Sequence, residues 1–153
     1  MKIKMRLLDP SDVPLITATW LRTYRSNSRW IVRIMEGCYF NEHNSLIKKA
    51  LINSRTIVAC DPSDPEHIIG YLVGVNRKKA DYLHYIYVKQ IFRKHGVAGE
   101  LLNEFIKNDD CYNSHETLPS SLFAMLRKKY KRLIYNPYPF FNPEFFNEVQ
   151  NES

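Results

Sequence analysis

The stretch best equipped for chemistry is residues 88–102, which read Val-Lys-Gln-Ile-Phe-Arg-Lys-His-Gly-Val-Ala-Gly-Glu-Leu-Leu. A buried strand runs into a tight basic loop, and the loop runs into an amphipathic helix. The loop holds Arg93-x-x-Gly96-x-Ala98, so the helix opens on small residues with unpaired backbone N–H groups. Such a helix start carries about half a positive charge and receives phosphate oxygens well. Gly96 lets the backbone approach an anion closely. Arg93, Lys94 and His95 add positive charge around it. Proton-transfer candidates are fewer. His84 is the polar residue of the apolar and aromatic run 82–88, and reads either as a base in a central strand or as a hydrogen-bonded core histidine. Glu116 reads either as a base or as an exposed carboxylate at a strand end. His115 and Tyr85 are weaker candidates.

These residues need elements to hold them. Alternation over residues 3–8 predicts a strand that stops at Asp9-Pro10. Ser11 or Asp12 can cap a helix to about Tyr24, with Val13, Ile16, Trp20 and Leu21 buried and a polar loop over 24–29. Residues 30–38 form at most a short helix ended by Gly37. Asn44 or Ser45 caps a second helix to about Asn53. Residues 56–60, 68–75 and 82–88 are β-type runs separated by turns, an antiparallel meander whose third member is buried on both faces. Val97, Ala98, Leu101, Leu102, Phe105 and Ile106 recur at helical spacing, in a helix that ends at Asn108-Asp109-Asp110. A strand near 115–117, a helix from Pro119, a strand over 132–135 and an irregular aromatic tail over 136–143 complete the chain. The fold class is α/β in the mixed α+β sense. A mostly antiparallel sheet is flanked by helices in the order β-α-α-β-β-β-α-β-α-β.

Composition bounds the rest. The chain has 153 residues, 44% hydrophobic and 25% charged, which fits one domain over 1–153 and excludes a TIM barrel or a kinase. The charge is 22 Lys+Arg against 16 Asp+Glu. Half of the cations fall in 77–94 and 127–132, while after Arg132 only Glu144, Glu148 and Glu152 are charged. A basic zone suits a polyanionic partner, whether a nucleotide, RNA or an acidic protein face, or is simply a solvated surface. Cys38, Cys60 and Cys111 form no close pair and no Cys/His group of zinc spacing, so reduced thiols, a cytoplasmic setting and no metal are expected. No apolar run reaches the ~18 residues of a membrane span, and the start lacks a signal-peptide core.

The loop and its flanks resemble motif A of the GNAT (Gcn5-related) N-acetyltransferases, whose pattern is Gln/Arg-x-x-Gly-x-Gly/Ala after a strand ending in valine. Val88 and Arg93 keep that spacing, Leu101-Leu102 falls where the family has a leucine pair, and the element order is the family's. Ala98 takes the place of the second glycine, which the family allows, and Gln90 replaces a common proline. The resemblance implies acetyl-CoA as acyl donor. The backbone of Ile86, Tyr87 and Val88 would then pair with the pantetheine arm. The amides of Lys94, His95, Gly96, Val97, Ala98 and Gly99, next to Arg93, would cradle the pyrophosphate. It also implies direct transfer to an amine. Glu116 lies five residues before Ser121 and eight before Ala124, the family's spacing for a base. The family's tyrosine acid is replaced by Lys128, with Tyr130 two residues on as its substitute.

The leading expectation is an acetyl-CoA-dependent N-acetyltransferase. Its acceptor would be a protein, an RNA-borne amine such as aminoacyl-tRNA, or a small amine, and small phage-type members share this look. Arg25, Asn27, Arg29 and Trp30 either shape the acceptor pocket or form a solvated loop. The alternative is a non-catalytic CoA-binding or partner-binding module on the same fold, with the aromatic tail as its surface. The tail would equally suit a homodimer. A nucleic-acid binder using the two basic clusters ranks last, for want of a recognised motif.

Overall fold

The computed structural model describes the backbone of residues 1–115 and 120–152, and the side chains of 1–115 and 122–147. Strand β1 (Lys4–Leu7) leads to Asp9, whose carboxylate accepts the Ser11 N–H at 3.0 Å while Asp12 accepts the Asp9 N–H at 2.8 Å. This reciprocal capping box caps the turn at Asp9, while Asp12 holds the N-cap position of the helix that follows without its carboxylate capping a helix amide. A 3-10 turn over Pro10–Asp12 then feeds helix α1 (Val13–Asn27). Arg6 grips the buried Asp12 through two bonds, at 2.6 and 2.9 Å.

Helix α1 continues through the start of the expected loop. Ile16, Trp20 and Tyr24 form one buried stripe that draws the helix on, and Ser26 and Asn27 return hydrogen bonds to the carbonyls of Arg22 and Thr23. Residues 30–38 hold a 3-10 turn over Ile31–Arg33 and then the start of α2 (Glu36–Asn53). This helix begins well before Asn44, and Gly37 lies in its first turn instead of ending a helix. Its buried stripe starts with Tyr39 and His43, which a search for aliphatic spacing passes over.

The meander forms in the expected order, but its third strand is not buried on both faces throughout, since Tyr82 and residues 85–88 are half-buried. β2 (Arg55–Asp61), β3 (Asp64–Asn76) and β4 (Asp81–Val88) are antiparallel neighbours, with β1 on the outer edge of β2. Helix α3 (Val97–Phe105) crosses to β5 (Asp110–Asn113), and α4 (Ser120–Lys129) crosses to β6 (Arg132–Tyr135). Both crossovers make parallel pairs, so the six strands lie in the order β1-β2-β3-β4-β5-β6. The strand expected near 115–117 lies earlier, where Cys111 and Asn113 turn inward. Residues 116–117 fall outside the described residues. The tail is helical rather than irregular, as α5 (Tyr138–Phe141) and α6 (Pro143–Glu152).

The sheet separates two cores. Helices α1 and α2 pack on one face, and Phe140, Phe145 and Phe146 of the tail close it, so the tail covers apolar surface of its own chain. α3 and α4 cover the other face through Val97, Leu101, Leu102, Phe105 and Leu126. The β3–β4 register slips between Val73 and Gly74. A Cβ on Gly74 would stand 2.5 Å from Phe105 Cζ and 2.6 Å from the Tyr82 carbonyl oxygen. Gly74 is therefore what lets α3 press its last ring onto the sheet.

Two predictions follow from this packing. Gly74→Ala should lose at least about 2 kcal/mol of unfolding free energy, lowering the Tm by about 4–8 °C. Gly37→Ala, with nothing near its Cβ, should instead gain up to ~1 kcal/mol of helix propensity. Equal effects in urea melts would refute the packing argument. The first core also holds His43, His84 and His115. Burial holds them neutral, lowering His43 to about 4, His84 to about 3 and His115 well below the usual imidazole range. The unfolded chain binds protons at these positions near pH 6.5, and the folded chain does so only at much lower pH. Their contribution to stability should be flat above pH 6.5 and fall as pH drops below it, by about 4 kcal/mol per unit when all three contribute. Unfolding midpoints that stay level from pH 7.5 to about 5 would rule this out.

Candidate functional site

The parallel ladder between β4 and β5 pairs Asp81 with Cys111, Tyr82 with Tyr112 and Leu83 with Asn113, and then ends. β4 runs on to Val88, still paired with β3 but with no strand on its other edge among the described residues. The Lys89 N–H donates to the Ile69 carbonyl at 2.9 Å, which fixes the alternation of the ladder. Tyr85 and Tyr87 therefore turn their backbone groups toward β3, while Ile86 and Val88 turn theirs to the open edge. Of the three residues expected to meet an extended ligand, Ile86 has both groups and Val88 its N–H to offer, and those of Tyr87 are committed.

Beyond Val88 a 3-10 turn over Gln90–Phe92 leads to the basic loop. Arg93 folds back, its Nε donating to the Val88 carbonyl oxygen at 2.9 Å, and so ties the loop to the strand end. Lys94 has φ 67° and Gly96 has φ 82°. Left-handed backbone is natural for glycine and costs a lysine about 1 kcal/mol, an expense typical of binding loops. A Cβ on Gly96 would meet nothing within 4 Å, so the glycine serves the backbone angle and not a steric gap. The first bond of α3 runs from Glu100 N–H to the Gly96 carbonyl. The amides of Val97, Ala98 and Gly99 precede it and have no partner within the helix. Lys94, His95 and Gly96 are exposed, and α4 flanks the helix start through Met125, 3.6 Å from the Cβ position of Gly99. The strand edge, the loop and the helix start thus follow one another directly, so the open backbone groups of β4 lead on to helix amides without helix partners.

The proton-transfer candidates are dispersed. His84 lies on β4 at the branch, fully buried, its Nδ1 3.1 Å from Ser114 Oγ. Its depressed pKa, owed to burial and then to the charge of Arg77, makes it a weak base. His115 lies just past β5, between Trp20 and Ser114. Tyr85 stacks on Trp20 and bonds to Thr23, and burial raises its hydroxyl to about 12. Tyr130 sits at the far end of β4, its hydroxyl donating to Asp81 at 3.3 Å. Burial and then Cys111 and Asp81 push its pKa far up. Val88 is about 23 Å from Asp81 at strand rise, so the Tyr130 hydroxyl, held at Asp81, lies at the opposite end of β4 from the basic loop. Glu116 lies outside the described residues, as does the side chain of Ser121. Ala124 and Lys128 are exposed on α4.

Around the other face, Arg25 donates to the Ile34 carbonyl and lies over the Tyr39 ring, and Asn27 bonds within α1. Arg29 and Trp30 are exposed, with Trp30 against Phe141. Sequence reasoning missed Asp81 and Ser114, which carry no motif and reveal themselves only through their partners.

No family model and no curated protein matches the sequence. Solved structures do. A Pyrococcus furiosus protein, described provisionally as an acetyl transferase, is similar over 99% of this chain and 93% of its own at a TM-score of 0.53 and 11% identity. YjaB from Escherichia coli is 16% identical at a TM-score of 0.48, over 68% of this chain and 64% of its own. The match thus spans less than two thirds of the length of YjaB. Arabidopsis thaliana NAA60, solved with acetyl-CoA, is 19% identical at 0.47, over 67% of this chain and 65% of its own. With a mixed six-stranded sheet, a β4 that parts from β5 and helices on both faces, the chain has the fold of the GNAT acetyltransferases.

Proposed function

We propose that the protein is an N-acetyltransferase that uses acetyl-CoA directly, without a covalent enzyme intermediate. The observation that carries this reading is the track from the open edge of β4 to the start of α3. Ile86 and Val88 offer backbone groups where a pantetheine amide needs them, and the left-handed loop leads to amides without helix partners where a pyrophosphate needs them. The fit rests on backbone, so the loop's shape matters more than the charge on Lys94. In the reaction an uncharged amine nitrogen forms the new C–N bond to the acetyl carbonyl carbon, the C–S bond breaks, and the thiolate takes up a proton. Glu116 is our candidate for removing the amine's proton. The leaving thiol has a pKa near about 8.5, so an obligatory acid is not required. Tyr130, held by Asp81 at the other end of β4, is then structural.

The acceptor approaches, in this reading, beside the 28–35 segment, where Arg29 and Trp30 are exposed. A protein, RNA-borne or small amine all fit that description, and a cytoplasmic setting suits the free thiols Cys38, Cys60 and Cys111. One observation favours the non-catalytic alternative. The family's tyrosine position holds an exposed lysine, Lys128, and His84 and Tyr130 are both tied into buried networks.

A thermal shift separates the readings first. Acetyl-CoA at a hundredfold excess over Kd should stabilise the protein by about 2.7 kcal/mol, a Tm rise of about 5–10 °C. Gly96→Glu should abolish the shift, since it places an L-residue at φ 82° and a negative charge at the helix start. No shift in the wild type would reject acyl-CoA binding altogether, and a shift without thiol release in an amine screen would select the non-catalytic module. Tyr130→Phe should cost about 1 kcal/mol of stability yet leave kcat within about threefold of wild type. A loss of a hundredfold or more would instead make Tyr130 the acid.

A further inference from the structure

The sheet branches at a single rung. The last ladder bond between β4 and β5 is the Ser114 N–H on the Leu83 carbonyl at 3.1 Å. At the next position β4 carries an extra residue. Val73 faces Tyr85 and Gly74 faces Leu83, so His84 has no counterpart on β3. Such a bulge bends the strand that contains it. Where backbone bonds stop, side chains take over. Ser114 Oγ lies 3.1 Å from His84 Nδ1 and 3.2 Å from His115 Nδ1, and all three residues are buried.

The protons along this chain follow from its fixed end. Trp20 Nε1 only donates, and it reaches His115 Nε2 at 3.2 Å. A neutral His115 that accepts at Nε2 carries its proton on Nδ1, and so donates to Ser114 Oγ. The Ser114 hydroxyl hydrogen then has three acceptors within reach. They are His84 Nδ1 at 3.1 Å and the carbonyls of Leu83 and His84 at 3.4 and 3.5 Å. The imidazole is nearest, which makes His84 the Nε2–H form. That nitrogen has no hydrogen-bond partner among the described residues, and the ring lies 5.3 and 5.5 Å from those of Phe140 and Phe146. The relay therefore has one direction, from Trp20 through His115 and Ser114 to His84, and it crosses the branch.

We propose that Ser114 is a positioning residue: its hydroxyl, bridging His84 on β4 to His115 beyond β5, sets how far the two strands part and so shapes the cleft for the thioester end of the acyl donor. This rests on the acyl-donor reading above. The bridge touches only the branch. The phosphate cradle is built separately, on the loop after Val88 and the start of α3, so loss of the bridge should act on one end of the ligand and spare the other.

Two probes separate the ends. Acetyl-CoA occupies the whole track, whereas 3′-phosphoadenosine 5′-diphosphate keeps the pyrophosphate and lacks the pantetheine arm. By calorimetry, Ser114→Ala should weaken acetyl-CoA by about tenfold or more and leave the nucleotide within about twofold. Ser114→Thr, which keeps the hydroxyl, should recover most of the loss. An equal change for both probes, no change for either, or no recovery in Ser114→Thr overturns the proposal while acyl-donor binding stands. A wild type that binds neither probe removes the acyl-donor reading and this inference together. Nitrogen NMR of the wild-type imidazoles tests the relay without any variant. It should find His115 protonated at Nδ1 and His84 at Nε2, and the opposite tautomer on either ring breaks the bridge as described.

Discussion

A buried carboxylate fixes the closed end of this sheet. Asp81, fully buried at the start of β4, accepts hydrogen bonds from the side chains of Asn76 and Asn108 at 2.7 and 2.9 Å, and from the amides of Lys107 and Asn108 at 2.9 and 3.1 Å. The Tyr130 hydroxyl adds a fifth at 3.3 Å. Left unpaired, such a group would cost far more than any one of these bonds returns. Its donors come from the end of β3, the segment after α3 and the residue after α4, so satisfying one charge brings three chain segments to one point. With that end closed, β4 and β5 can diverge only at the other.

The open end works by the opposite principle. Past Leu83 the β4 edge is left with backbone groups and no strand to meet them, and past Val88 the chain is held in left-handed turns that lead to helix amides without helix partners. Both features are costs that the free protein carries. Arg93 keeps the two in register, because its bond to the Val88 carbonyl fixes the loop relative to the strand. A chain only 11% identical to a solved structure shares its fold, because strand pairing and crossovers need the pattern of apolar positions and not particular side chains.

How far the sequence disclosed this depends on the kind of signal. The strand, basic loop and helix over 82–106 were legible because period-2 and period-3.6 patterns meet there at a glycine, and the meander was legible for the same reason. The start of α2 was not. Its buried stripe opens with Tyr39 and His43, and a histidine counts as polar until the core around it is known. The tail looked irregular because its prolines are frequent, yet Pro143 stands at the first position of a helix, where proline is at home. Tyr130 stood as a substitute acid because it lies two residues past Lys128, and that spacing does not disclose that its hydroxyl meets the buried Asp81. Asp81 was invisible because its donors come from 5 to 49 residues away, and Ser114 because its hydroxyl meets His84, 30 residues back in the chain.

The histidines at the branch are a consequence of where it lies. A strand that leaves its neighbour in a protein core strands backbone and side-chain polar groups, and each needs a partner that water cannot supply. Aliphatic residues would seal the gap but satisfy none of them. An imidazole can accept on one nitrogen and donate on the other, so a row of them passes satisfaction along without a net charge as far as His84 Nε2, which ends against aromatic rings. That works only while the rings stay neutral, and the surrounding aromatics, Trp20, Tyr24, Tyr85 and Phe140, keep them so. The dense aromatic packing on that face and the polar relay inside it are therefore one device. The rings exclude water, exclusion keeps the imidazoles uncharged, and uncharged imidazoles can bridge two strands exactly where the backbone no longer does.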